Sequence, residues 1–335
     1  MSEKALEQKL KKILKASPVA GLLARGLLKV ESFFLEEFAL KAPLPFREEI
    51  KRVIQAGGKR IRPLLVLVAG LLNQFKEDKL IMAAACVEAI HTASLIHDDI
   101  IDNASFRRGV ATTASLYGND FAIRTGDYLF ARSFEILARL ESQEVLSSLA
   151  TAAEELSLGE LDGNYLRFSD RVRLEDYLVW ISRKTASLFR AACEIGAIIS
   201  EAESSQRKAV SGFGFFLGMA FQLFDDILDV TGTKEMLGKP AASDLKEGYP
   251  TLPYLLALNN ERFAEKIKKV LTRKASPEKA EAIARELSDS EVVEEAQRTA
   301  AEFVDKALQM LGQIEKREVA ETLGEIARYV IQRYY

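Results

Sequence analysis

Two cysteines, two histidines and one tryptophan are all that this 335-residue chain holds of three scarce side-chain types. Cys86 and Cys193 stand in separate Ala-rich apolar stretches, where each reads as a buried free thiol. That excludes a disulfide framework and fits a reducing compartment. No unbroken apolar run reaches the roughly 18 residues that a membrane span needs. The opening MSEKALEQKLKKILK is too charged for a signal peptide, so a cytoplasmic protein is expected. Nor is there an excess of one charge. With 46 Lys and Arg against 49 Asp and Glu, the formal net charge is −3, which argues against nucleic acid as the main partner. No low-complexity linker divides the chain, so a single domain over residues 1–335 is expected, with 1–45 as N-terminal helices packed on a core of 46–335.

Helical periodicity is present nearly everywhere. Apolar residues recur at three- and four-residue spacings, broken by Gly or Pro, and predict an all-α fold. The expected helices are Arg47 to Ala56, Pro63 to Leu72, Lys79 to Asp102, Asn119 to Leu140, Glu144 to Gly163, Leu174 to Ile199, Gln206 to Val230 and Thr251 to Leu258. More amphipathic helices follow from Arg262. The opening segment has a basic face, but Glu31, Glu36 and Glu37 follow it, so a packed helical pair is expected over a membrane-surface helix.

Carboxylates stand where an apolar helix should not have them. LIHDDIIDNASFRRG, from Leu95 to Gly109, sets Asp98, Asp99 and Asp102 among Leu and Ile and follows them with Arg107 and Arg108. Such neighbours repel unless a cation lies between them. On a helix Asp98 and Asp102 are one turn apart on one face. FQLFDDILDV repeats the pattern at Asp225, Asp226 and Asp229. Two such helices facing each other would form a cup for two or three Mg²⁺ ions and, through them, a highly charged anion such as diphosphate.

Basic residues supply the other half of the pattern. GGKRIRP places Gly57 and Gly58 before Lys59, Arg60 and Arg62 at a helix start, where backbone amides and cationic side chains act together on an anion. Arg107, Arg108, Lys184, Thr185, Gln222 and Lys239 are further candidates. His91, two turns before the aspartates, is placed to face the GGKRIRP junction; His97 is read as structural support.

From GGKRIRP through DLKEGYPTLP, these motifs stand in the order and at the spacing of the trans-isoprenyl (all-trans polyprenyl) diphosphate synthases, and the sequence resembles that family. The resemblance implies a single large helical bundle around a central cavity, of the isoprenoid synthase class I type, usually a homodimer. In it an allylic diphosphate is elongated by isopentenyl diphosphate through ionisation, condensation and elimination, with transient membrane-surface contact for product release. It implies direct Mg²⁺ ligation by Asp98, Asp102 and Asp225, with Asp99, Asp226 and Asp229 completing or supporting the shell. Lys59, Arg62, His91 and Arg108 would hold isopentenyl diphosphate. Arg107, Lys184, Thr185, Gln222 and Lys239 would hold the allylic diphosphate, with Arg107, Lys184 and Lys239 stabilising the leaving group as charge develops. The two histidines being committed, released diphosphate is the expected base.

Two positions depart from the family pattern: Gly163 where Gln is common, and Tyr249 where a second Lys is common, with Lys246 as the expected substitute. Other function classes fit less well. A class I terpene cyclase would carry a different second metal motif and no isopentenyl pocket, and a non-catalytic regulatory subunit would lack intact aspartate motifs. Product length is read from the helix before the first motif, where Ala93, Ala89 and Ala85 line one face. That stripe is either a groove or a close helix contact. As a groove, with each Ala leaving room for about one isoprene unit per turn of roughly 5.4 Å, it predicts a product longer than fifteen carbons. Geranylgeranyl diphosphate is the shorter alternative.

Overall fold

The computed structural model describes residue 14 and residues 18–232, 242–276 and 278–331. Lys239 and the charged opening residues 1–13 therefore lie outside the described residues. The fold is all-α, with one two-residue hairpin as the exception among the described residues. Contacts group the chain into two compact units. One comprises Met1–Ala153, Leu188–Gly214 and Gln309–Tyr329; the other comprises Glu154–Ser187, Phe215–Leu308 and Val330–Tyr335.

The first unit holds α1 (Ala20–Phe34), a π-helical turn (Leu35–Ala39), α2 (Phe46–Gln55), α3 (Ile61–Ala69), α4 (Glu77–Ile101), the hairpin β1 (Phe106–Arg107) and β2 (Val110–Ala111), α5 (Thr113–Tyr117) and α6 (Asn119–Ala138). Its centre is α4, packed by α1, α3 and α6. Small side chains make that possible: Ala83, Ala84, Ala85, Ala89 and Ala93 are all fully buried, so helices approach α4 from several sides. By length and composition α4 is apolar enough to cross a membrane, but 78% of its most apolar window is buried inside the protein. It is a core helix. Helix α1 packs on α4 and buries Leu23, Leu27, Val30 and Phe34.

The hairpin was not legible as strand, being two residues a side. Its turn is Arg108 and Gly109, both at positive φ (53° and 78°), which matches the twist that a two-residue hairpin loop requires.

In the second unit α8 (Leu174–Ile181), α11 (Ser243–Glu247), α12 (Leu252–Ala257), α13 (Ala264–Leu271) and α14 (Lys279–Ser288) pack around Tyr177, Leu223, Phe224, Leu252 and Tyr254. Helices α7 (Gln143–Leu166), α9 (Ser187–Ile199), α10 (Ser204–Thr231), α15 (Glu291–Leu311) and α16 (Arg317–Ile331) run through a boundary between the units. The helix expected from Leu174 to Ile199 is interrupted by a π-helical turn at Ser182–Ala186. That turn carries Lys184 and Thr185, and such bulges recur at functional sites. The helix expected from Pro63 begins two residues earlier at Ile61, after Arg60 in the left-handed region.

Candidate functional site

In the first unit, α4 delivers the first aspartates at its C-terminal end, where Asp102 closes the helix by donating its backbone N–H to the Asp98 carbonyl at 2.8 Å. The three carboxylates divide. Asp98 and Asp102 are half-buried, whereas Asp99 is buried and receives the Arg107 Nε at 2.5 Å. Burial raises the Asp99 pKa, and Arg107 opposes that rise. The hairpin thus folds one candidate diphosphate cation back onto the motif. Its neighbour Arg108 donates to the Gly57 carbonyl and passes so near Gly58 that a Cβ there would lie 2.9 Å from its Nη1.

The GGKRIRP junction is held by Arg60, which sequence reasoning placed only as one more cation. It is buried, and its guanidinium donates to Glu88 at 2.7 Å, to Glu31 at 3.2 Å and to the Ile54 carbonyl at 2.8 Å. A cation so fully committed organises the junction. The half-buried Lys59 and Arg62 flank it. Arg62 lies 4.4 Å over the Phe189 ring and donates from Nη1 to His91 Nε2 at 3.2 Å. Because Arg62 only donates, His91 must accept at Nε2 and carry its proton on Nδ1. Burial, then Arg62, Arg108, Arg107 and Arg60, hold the His91 pKa well below its usual value, and burial brings Arg62 down to about 10. Arg60, Arg107, Arg108, Thr92 and Asp99 are among the residues that line a small pocket of about 40 Å³ within this unit.

His97, read above as structural support, has its Nε2 3.2 Å from the Ile123 carbonyl, and Gly126 leaves the room that the ring occupies.

In the second unit, α10 presents Asp225 as exposed while Asp226 and Asp229 are buried. Both Asp226 oxygens are engaged: Tyr177 donates to Oδ2 at 2.5 Å and Gln222 Nε2 donates to Oδ1 at 2.8 Å. Thr185 in turn donates to Gln222 Oε1 at 2.7 Å, which makes a line Thr185–Gln222–Asp226–Tyr177. Burial pushes Asp226 up to about 7 against the pull of those hydrogen bonds. Asp229 anchors α11: its carboxylate accepts from the Ser243 N–H at 3.2 Å, the Ser243 hydroxyl at 2.6 Å and the Asp244 N–H at 3.1 Å. Lys184 pairs with Glu160 at 2.7 Å, and Gly159 lets α7 approach so closely that a Cβ there would meet the Lys184 backbone at 2.6 Å.

Lys246, the expected substitute for a lysine at position 249, has its Nζ paired with Glu281. Glu88, Glu160 and Tyr177 were missed altogether. A Glu three residues before His91 inside an apolar helix was a signal for Glu88; the others gave none. Among the described residues, no three Asp, Glu, His or Cys side chains form a closed metal cluster. In the first unit the half-buried Asp98 and Asp102, and in the second the exposed Asp225, are carboxylates of the kind that a hard cation takes alongside water and phosphate oxygens.

The model of the family described as polyprenyl synthetase matches residues 45–287, a span that contains every motif above. The chain belongs to the polyprenyl synthetase family. It is therefore a prenyltransferase, of the kind that joins isopentenyl diphosphate to an allylic diphosphate. Component 2 of the heptaprenyl diphosphate synthase of Geobacillus stearothermophilus is 40% identical over 87% of this chain and 91% of that protein. The octaprenyl diphosphate synthase of Haemophilus influenzae is 35% identical over 84% of this chain and 87% of its own. Among solved structures, a decaprenyl diphosphate synthase from Rhodobacter capsulatus superposes with a TM-score of 0.88 at 30% identity, over 100% of both chains. Membership confirms the all-helical isoprenoid synthase fold expected from the resemblance.

Proposed function

We propose that this synthetase elongates an allylic diphosphate repeatedly to an all-trans product longer than fifteen carbons, with Mg²⁺ bound by Asp98, Asp102 and Asp225. The observation that carries the metal assignment is the division within each DDxxD motif. The members Asp99, Asp226 and Asp229 are buried and hold Arg107, Tyr177, Gln222 and Ser243, whereas Asp98 and Asp102 are half-buried and Asp225 is exposed. Bound there, Mg²⁺ supplies the positive charge that a departing diphosphate needs. The chain's own residues do the rest. Lys184 and Arg107, now paired with Glu160 and Asp99, are the cations that a diphosphate draws away by exchange. Thr185 and Gln222 orient it. Lys59, Arg62, His91 and Arg108 hold the second diphosphate, and His91, neutral and accepting from Arg62, fixes the plane of that guanidinium. Lys239 is assigned to the allylic group from its motif alone.

The names of the relatives, heptaprenyl, octaprenyl and decaprenyl, support a long product. Ala85, Ala89 and Ala93 are the candidate wall for it, although their complete burial means that protein covers the stripe in this structure. A homodimer in the cytoplasm with passing membrane contact is the arrangement we favour; Cys86 and Cys193 are buried free thiols that suit a reducing compartment. Relatives named as component 2 favour a second arrangement, in which a different polypeptide completes the enzyme.

Calorimetry with a non-ionising farnesyl diphosphate analogue tests the site. Binding should be tight with Mg²⁺ and weak in a chelator, and Asp98→Ala should abolish the difference. Equal binding in both conditions would refute the assignment.

A further inference from the structure

The two departures from the family pattern, Gly163 and Tyr249, meet in one place in the second unit. A Cβ on Gly163 would lie 2.8 Å from Trp180 Nε1, so the space of a side chain at 163 is occupied by the indole. The indole stacks on Tyr249, with centroids 5.4 Å apart and planes 16° from parallel. Tyr249 in turn carries a guanidinium: Arg167 Cζ lies 4.9 Å from its centroid and 5.1 Å from that of Phe168. Gly163, Trp180, Tyr249 and Arg167 therefore form one packed group, in which a Gly makes room for a Trp and a Tyr supports an Arg.

The chemistry of that group points to an anion. Arg167 donates its Nε to the Glu247 carbonyl, and its backbone N–H donates to the Gly163 carbonyl at 3.1 Å, so both ends of the residue are fixed. Among the described residues it has no carboxylate partner. In the same unit Arg183 pairs with Asp162, Lys184 with Glu160 and Lys246 with Glu281. A half-buried guanidinium held beside two aromatic rings, with its Nε already committed, keeps its outer N–H groups for an oxyanion, and bidentate recognition of phosphate is what a guanidinium serves. A second donor stands beside it. Trp180 is 7% exposed, and its Nε1 is buried with no hydrogen-bond partner, at the turn of α7 from which Arg167 projects. Trp180 also meets Tyr177 edge-on, with ring centroids 6.1 Å apart, and Tyr177 holds Asp226, which Gln222 also holds, so the group adjoins residues already assigned to the allylic diphosphate.

We infer that Arg167, mounted on Tyr249 and Trp180, is a diphosphate-binding residue of the allylic site, supplying the cation that other members of the family carry at position 249. The inference rests on the allylic reading above. It explains both departures together: the Lys is dispensable because Arg167 reaches the same region from α7, and the Gln gives way to Gly because Trp180 needs its volume.

The test is calorimetric binding of the same non-ionising farnesyl diphosphate analogue, with Mg²⁺, to the full chain and to Arg167→Gln, Arg167→Lys and Arg167→Gln/Tyr249→Lys. Loss of a charge-assisted hydrogen-bonded contact should weaken analogue binding about ten- to a hundred-fold in Arg167→Gln. The double variant, with a cation returned to position 249, should recover most of that loss. Arg167→Lys should fall between, because Lys keeps the charge without the fork. The KM for isopentenyl diphosphate should not change in any of them. Wild-type affinity in Arg167→Gln, or a loss that Tyr249→Lys does not repair, would overturn the inference while leaving the allylic site in place. Failure of the wild-type chain to bind the analogue would overturn the allylic reading itself, and this inference with it. A thermal melt of each variant detects a folding defect, and the rescue distinguishes binding from packing if the melts shift.

Discussion

The Tyr177 hydroxyl donates to Asp226 Oδ2 at 2.5 Å, joining α8 to the second aspartate motif across 49 positions of sequence. Gln222 holds the other oxygen, so the middle carboxylate of the motif is fixed from both sides before any ligand arrives. Pre-organisation of this kind sets where Asp225, one residue earlier, presents its own carboxylate. Tyr177→Phe removes one hydroxyl and leaves a buried acceptor short of a partner. It should raise the Mg²⁺ concentration needed for half-maximal rate several-fold and leave the isopentenyl diphosphate KM unchanged. An Mg²⁺ titration checks it, and an equal shift in both quantities would argue for a general folding defect.

Burial of Asp226 also has a pH signature. Its folded value of about 7 stands above the ordinary 3.8, so the metal-free folded chain binds a proton that the unfolded chain has released. Stability from that proton is fully present below about pH 4 and is lost as pH rises through about 7. His91 works in the opposite direction: its folded value is lowered, so its contribution is lost as pH falls below about 6.5 toward that lowered value. Denaturant unfolding in a chelator should therefore show a smaller decline of stability between pH 5 and 7 in Asp226→Asn than in wild type. Identical slopes would mean that Asp226 is ionised throughout.

Arg60 and Glu88 form a buried ion pair at 2.7 Å under the GGKRIRP junction. Removing one partner strands the other, so Glu88→Ala should destabilise the chain by roughly 3–5 kcal/mol, measurable by urea unfolding. The double variant Arg60→Met/Glu88→Leu should recover most of that loss. A single variant as stable as wild type would show that water reaches the pair.

The two diphosphate sites should separate in kinetics. Lys59→Ala and Arg62→Ala should raise the KM for isopentenyl diphosphate much more than that for the allylic substrate, whereas Lys184→Ala should mainly lower kcat. Equal effects on both KM values would mean that the residues are divided wrongly between the sites.

Ala93→Phe distinguishes a groove from a packing contact. Ala93 is fully buried. If the stripe opens to the growing chain, Phe should shorten the product to about fifteen to twenty carbons, since each turn of roughly 5.4 Å matches one unit. If it is only a helix contact, overpacking should cost about 1–3 kcal/mol and leave product length alone. Product chromatography and a thermal melt on the same preparation separate the two.

Much of this was legible because charge in an apolar helix has few physical excuses. Asp98, Asp102 and Asp225 declared themselves by that contrast, and the helices by their period. Which carboxylate of each motif turns inward was not legible. It depends on Arg107, Tyr177 and Ser243, and the last two come from other segments whose approach no local pattern encodes. The π-helical turn at Ser182–Ala186 was hidden because its residues are ordinary helix formers. The grouping of contacts into two units likewise left no mark in composition, since α7 and α10 pass through the boundary without a break.

The most direct measurement incubates the purified chain alone with farnesyl diphosphate and labelled isopentenyl diphosphate, with Mg²⁺ or with a chelator, and sizes the extracted prenols. The proposal predicts Mg²⁺-dependent label in products longer than fifteen carbons, reduced at least ~10³-fold by Asp225→Ala. Label absent from every extract of the chain alone would contradict it.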